Sequence, residues 1–418
     1  MRALRWFAAT LLLTALAGGP LASATPVRRP LDDTFGYHGK VTTRIGEESQ
    51  ASAAAQQKDG KIVVAGWTRT GDDYDFAVAR YRRNGALDLG FGQRGLVTTD
   101  FGGWDLAAAL KLQRDGKILV AGEAQAGTKG QFAIARYTRR GSLDRAFGSG
   151  GKVTAPVGSA EAMVLQPDGK IVIAGGWYGD FLLSRFMPDG SLDSTFGTGG
   201  IARMTFPHQY SDVYGLALQR DGRLVTVGVN GEHEVAQWAI ARFLRDGLPD
   251  PSFGTGGKVT LFDEALSNSA ASGVALQRDG RILVVGSAVR GATLVRLRRD
   301  GSVDATWGLG WYDPCCWFPS AVRVQRDGRI VVAGATYDGR ENGDFTLARY
   351  TSQGDPDPTW ARGYWTGGRL TTSITPAIDG ATALVLQRDG KVVLAGYAGV
   401  PQLGPRETTF ALVRYAKR

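Results

Sequence analysis

The chain has 418 residues, 43% of them hydrophobic, with 59 glycines, two cysteines and a formal net charge of +9. That apolar fraction suffices for a packed core and excludes global disorder. Lysines and arginines are interspersed with acids instead of massed in a run, so the positive balance reads as solubilising surface charge and carries no specific nucleic-acid signal.

The first element is a secretory signal. Arg2 and Arg5 precede the apolar stretch WFAATLLLTALA (6–17), which is too short to span a bilayer comfortably, and ASA (22–24) offers small residues for cleavage after Ala24. The expected mature chain begins near Thr25, is secreted or held in the cell envelope, and forms one domain over 25–418. No later segment has the length and apolarity of a transmembrane helix.

The hairpin string LQRDGKILVAG (112–122) then dominates the reading. Its turn glycine recurs at 60, 116, 169, 222, 280, 328 and 390. Six residues after each comes another glycine: 66, 122, 175, 228, 286, 334 and 396. A strand of the type FAIARY follows, with its arginine at Arg80, Arg136, Arg185, Arg242, Arg296, Arg349 and Arg414. Eight residues past each of the first six arginines lies an aspartate in an LDxxFG motif: Asp88, Asp144, Asp193, Asp250, Asp304 and Asp357. Asp32, in LDDTFG, is the seventh copy, displaced to the front of the chain. Repeat units start near 31, 87, 143, 192, 249, 303 and 356. A period of about 55 residues marks a repeat architecture.

Four strands are readable in each unit, and no helical period appears. The first carries a small residue four before the hairpin glutamine: Ala53, Ala109, Ala162, Gly215, Gly273, Ala321 or Ala383. The fold class is therefore all-β: a seven-bladed β-propeller of four-stranded antiparallel blades, with a parallel β-helix ranked well below. The last unit stops at FALVRYAKR (410–418) and lacks its LDxxFG piece, which the N-terminus holds as LDDTFGYHGKVTT (31–43). The N-terminal strand is expected to complete the last blade and close the ring. Two units depart from the pattern, at WGLGWYDPCCWF (307–318) and WARGYWTGGRL (360–370), which leaves their fourth strands in question.

The succession LQxDGKIVVAG, FALARYxxxG and LDxxFGxxGKV resembles the delta-60 repeat of bacterial exported proteins, over essentially the whole mature chain. The resemblance implies a propeller-like fold. It implies no activity, ligand or catalytic residue.

The repeated Arg and Asp read as structural ion pairs, because a half-buried guanidinium needs a carboxylate. Which blade supplies each partner is open. The Asp-Gly turn reads as a tight two-residue hairpin with positive φ at both positions. The phenylalanine of FG, replaced by Trp307 and Trp360 in two units, reads as a plug between blades. Motifs for chemistry fail: FGTGGKV (253–259) lacks the phosphate-loop Ser or Thr, HEVAQ (233–237) ends in Gln237 where a zinc ligand is needed, and there is no GxSxG elbow.

Parity places the uniform turns, after strands one and three, on one face of the disc. The variable loops share the other face, where binding usually resides. Candidate ligand-binding residues there are Trp67, Asp72, Asp73, Asp75, Trp104, Asp105, Trp177, Tyr178, His208, Tyr210, His233 and Tyr337, with Trp311 and Trp317 at the departing unit. No cofactor is expected; Ca²⁺ is the ion that the carboxylates of GDDYD (71–75) would suit. Cys315 and Cys316 are disulfide candidates as a vicinal bridge, with free thiols and an intermolecular link as alternatives. The expected function is an exported, non-enzymatic, monomeric scaffold that binds a carbohydrate, peptide or protein through its variable face. The alternatives are an extracellular hydrolase or lyase acting at the central channel and a structural component of the cell envelope.

Overall fold

Seven antiparallel sheets of four strands each account for the repeat. The computed structural model describes residues 30–417 apart from 127–128, 156–157, 178, 209, 232–235, 262–268, 289–290, 308–311, 314–316, 338–342, 361–367 and 401–406. The expected signal segment (1–24) therefore lies outside the described residues. Blade one takes Glu48–Gln56, Ile62–Thr70, Asp73–Tyr81 and Leu96–Thr99 in chain order, and the next five blades repeat the scheme. Blade seven runs Lys40–Thr43, Thr408–Tyr415, Val392–Gly399, Asp379–Leu386, so the N-terminal strand is its outer edge. First strands touch one another in a closed circle. The questioned fourth strands both exist, although that of blade five is only Tyr312–Asp313.

The two glycine landmarks have different physical causes. The hairpin is a three-residue loop: Gly60 N donates to Gln57 O at 3.0 Å and Gln57 N to Lys61 O at 2.8 Å. Only Gly60 takes a positive φ, of 86°, while Asp59 does not and instead accepts the Lys61 amide on Oδ1 at 3.1 Å. The two-residue expectation is thus corrected; a type I turn followed by a left-handed glycine needs positive φ at one position, not two.

The second glycine faces a β-bulge. Ala51 pairs with Gly66 and Ala53 with Ala65, leaving Ser52 as the extra residue. The kink drives the preceding carbonyl onto the neighbouring strand, so a Cβ at Gly66 would lie 1.9 Å from Gln50 O. The same close approach, at 1.6–2.1 Å, recurs at Gly122, Gly175, Gly228, Gly286, Gly334 and Gly396. The small residues of the first strands line an axial cavity of about 170 Å³.

Apolar side chains between neighbouring blades form the core. Phe35, Phe91, Phe147, Phe196 and Phe253 are fully buried there. Tyr81 and Tyr137 reach the preceding blade's fourth strand, where their hydroxyls meet Thr43 and Thr99 at 2.8 and 2.7 Å.

Candidate functional site

The uniform face is a lattice of ion pairs. Each arginine bonds the aspartate of its own blade at 2.7–2.9 Å, as in Arg80–Asp88, and Arg414 bonds Asp32 across the two ends of the chain. A second cation, unforeseen from the sequence, joins each pair: Lys61, Lys117, Lys170, Arg223, Arg281, Arg329 or Lys391, at 2.6–3.2 Å. The signal for it was present, since the residue after Asp-Gly is basic in all seven copies. Each arginine also lies over the FG aromatic ring, 4.2–4.9 Å from its centroid. It reaches the next blade as well: Arg185 donates to Arg245 O at 2.7 Å. Two grooves, of about 730 and 540 Å³, lie on this face between blades three, four and five. Their walls are the same repeated Gln-x-Asp-Gly and arginine positions, so they are seams of the scaffold with no residue particular to one ligand.

The variable face is different at the seam of blades one and two. Strand alternation puts Trp67 and Tyr74 on the side facing blade two, with Arg69 paired opposite Tyr74. The crossover brings Trp104 against them. The rings form a ladder, Trp67–Tyr74 at 5.4 Å and Tyr74–Trp104 at 5.3 Å between centroids. Trp104 is 57% exposed, and its indole Nε1 donates to Asp72 O at 3.2 Å, which fixes the ring.

Carboxylates crowd the same place. Ligand oxygens of Asp73, Asp75 and Asp100 all lie within 4.8 Å of one another. Among the described residues these are the ones that could hold a metal, and an all-oxygen set is of the kind Ca²⁺ takes. Asp100 was missed from the sequence, because it follows the fourth strand, 25 residues from Asp75. None of Asp73, Asp75, Asp100 and Asp105 forms an ion pair among the described residues, in contrast to the aspartates of the uniform face. Asp105 is completely buried, so the reading of it as a surface contact is corrected: it accepts the Phe101 amide and anchors the crossover. Burial pushes the Asp105 carboxyl up to about 7, against the Phe101 hydrogen bond and with help from Asp100, Asp75 and Asp73.

A second polar group lines the channel mouth on this face. Tyr214 is the bulge residue in the first strand of blade four, and Glu161 holds the same repeat position just before the first strand of blade three; both line the axial cavity. Burial, then the charges of Asp212 and Glu123, pushes the Glu161 carboxyl up to about 7. Burial likewise brings Asp212 to about 6. Tyr210, 43% exposed, lies beside Tyr214. His208 is half-buried, its amide bonded to Asn230 Oδ1 at 3.3 Å. Tyr337 stands apart, at the end of the second strand of blade six.

Trp317 corrects the sequence reading. It is 1% exposed and packs with Trp307, Val322 and Tyr350 inside the seam of blades five and six, so it offers no ligand surface. Trp177 ends a strand of blade three. Tyr178, His233, Trp311, Cys315 and Cys316 lie outside the described residues.

Six stretches match a family model described as a domain of unknown function (DUF5122) beta-propeller: 57–91, 113–147, 166–196, 219–253, 277–306 and 325–359. Each begins at, or within a residue of, the hairpin glutamine and ends near the FG plug. The chain is a β-propeller repeat protein. Its seventh repeat is split between Gln387 and the N-terminal LDDTFG, which explains why six stretches match a seven-bladed ring. No curated protein matches in sequence. Among solved structures, a catalytically inactive virginiamycin B lyase from Staphylococcus aureus with quinupristin aligns at TM-score 0.51 and 12% identity, over 90% of this chain and 98% of that one. The polysaccharide lyase Uly1 aligns at TM-score 0.50 and 10% identity, over 94% of each chain. At such identities the likeness is one of fold.

Proposed function

We propose that this propeller is an exported, non-enzymatic binding module, built of delta-60 repeats, whose variable face takes a neutral, hydroxyl-rich glycan at the seam of blades one and two. The ladder Trp67–Tyr74–Trp104 carries the reading. Three rings pack at 5.3–5.4 Å, each tilted by 54–56° to the next, and hold the exposed outermost ring, Trp104, in place to receive the apolar face of a sugar. Unpaired carboxylates at the flank accept hydroxyl hydrogen bonds and repel acidic polymers. A glycan and peptide array probed with the mature chain tests this: neutral glycans bind, and Trp104→Ala loses them while keeping its melting temperature. Binding confined to peptides, or unaffected by Trp104→Ala, would refute it.

A hydrolase or lyase reading draws on one observation, the carboxyl of Glu161 in the axial cavity and that of its neighbour Asp212, both poised near neutrality, where proton transfer is efficient. Against it, the carboxylates that converge among the described residues are those of the blade one–two seam, away from the axis. Turnover of polysaccharides abolished by Glu161→Gln would favour this second reading.

A further inference from the structure

The axial channel contains two cations that the scaffold does not require. Lys111 and Arg323 both line it. They occupy one repeat position, two before the hairpin glutamines Gln113 and Gln325, where the other blades carry Ala55, Val164, Ala217, Ala275 and Val385. Blades two and six are three steps apart in a ring of seven, so the two side chains approach from nearly opposite walls. Among the described residues neither forms an ion pair, whereas the seven arginines of the uniform face all do. The one hydrogen bond of Arg323 runs to its neighbour Val322 O at 2.8 Å, leaving most of its donor fork free.

Their surroundings are enclosed but wet. Channel wall encircles both side chains, yet Arg323 remains accessible to water. Burial, with the charge of Arg323 added, draws the Lys111 ammonium down to about 8. Glu161 lines the same cavity at a repeat position three residues nearer the variable face. Two like charges directed across a narrow bore repel each other, and an anion between them would convert that repulsion into two charge-assisted contacts.

We propose that Lys111 and Arg323 form an oxyanion site in the axial channel, at its hairpin-side end, that takes a carboxylate or phosphate group. A cavity of about 170 Å³ admits a small anion or the charged end of a larger molecule. The guanidinium presents a planar fork to two oxygens and the ammonium closes the far side.

The test titrates inorganic phosphate, and in a parallel arm citrate, into the mature protein at pH 7 and low, matched ionic strength. Calorimetry and thermal melting are read together. Wild type shows saturable binding and a rise in melting temperature. Lys111→Ala with Arg323→Val loses the saturable component, and each single change weakens it about tenfold or more. These replacements are the residues other blades place there, so the fold tolerates them; Lys111→Gln serves if the pair misfolds. Without anion the double variant melts above wild type, because the repulsion is gone. Preference for phosphate over citrate, or the reverse, identifies the group. Equal responses of wild type and variant, or no saturable response in wild type, would overturn the site.

Discussion

Arg414 Nε lies 2.8 Å from Asp32 Oδ2, joining residues 382 positions apart in sequence. The contact is the same one that Arg136 makes to Asp144 within its own blade at 2.7 Å. Lys391 adds the second cation at 2.6 Å, so the closing blade is held as the others are. Asp32→Ala should therefore cost about 3 kcal/mol, in the range for removing one partner of a buried pair, and Asp144→Ala a similar amount. Urea midpoints check both. Deleting residues 25–45 should cost more, since it also removes the outer strand of blade seven and the Phe35 plug.

Stability should fall at both ends of the pH scale, for opposite reasons. Burial raises Asp32, but the Lys391 and Thr34 hydrogen bonds and the Arg414 charge outweigh it and hold the carboxyl at about 2. A lowered folded-state value gives stability that is complete above the unfolded value and lost as pH falls through about 2. Asp88, Asp144, Asp250 and Asp357 are lowered by the same kind of partners and act in the same direction. Asp105 and Glu161 are raised to about 7, so their contribution is lost as pH rises from their unfolded values through about 7. Melting temperature should peak in mildly acidic buffer. Asp105→Asn, which keeps an acceptor for the Phe101 amide, should raise it at pH 8 and leave it little changed at pH 4.

The glycine opposite each bulge should be intolerant of any side chain. Gly122→Ala would put a Cβ 2.0 Å from Leu106 O, and the backbone must move, at a cost of about 3 kcal/mol. Gly71→Ala is the contrast. Its φ of 64° is unfavourable, but nothing lies within 4 Å, so its cost should be about 1 kcal/mol. Equal midpoints for the two variants would contradict the bulge explanation.

The fold was legible because repetition multiplies weak signals. One Asp-Gly turn between apolar runs is only a hairpin; seven at near-constant spacing, with a missing piece at one end and a spare at the other, specify a closed ring. The role of the basic residue after each turn was in plain view but needed the strand geometry to join Lys117 to Asp144, 27 residues away. The bulge was not legible, since period-two alternation carries no mark of one extra residue. The site was legible in part. GDDYD (71–75) and Trp104 were visible as unusual loops, but Asp100 joins them only through the pairing of strands three and four. Trp317 misled because a tryptophan beside a broken motif looks like a loop residue, whereas it begins a first strand and points into a seam. Lys111 and Arg323 were hidden by their neighbours, as each looks like ordinary alternation on a half-exposed strand.

The most direct measurement of the account is a calorimetric titration of one array-identified glycan into three proteins: wild type, Trp104→Ala on the variable face and, on the uniform face, Arg220→Ala in the Gln219–Gly222 hairpin of blade four. Wild type and Arg220→Ala should bind alike, and Trp104→Ala should lose about 1–3 kcal/mol of binding free energy with its melting temperature unchanged. Binding that survives Trp104→Ala and fails in Arg220→Ala would contradict it.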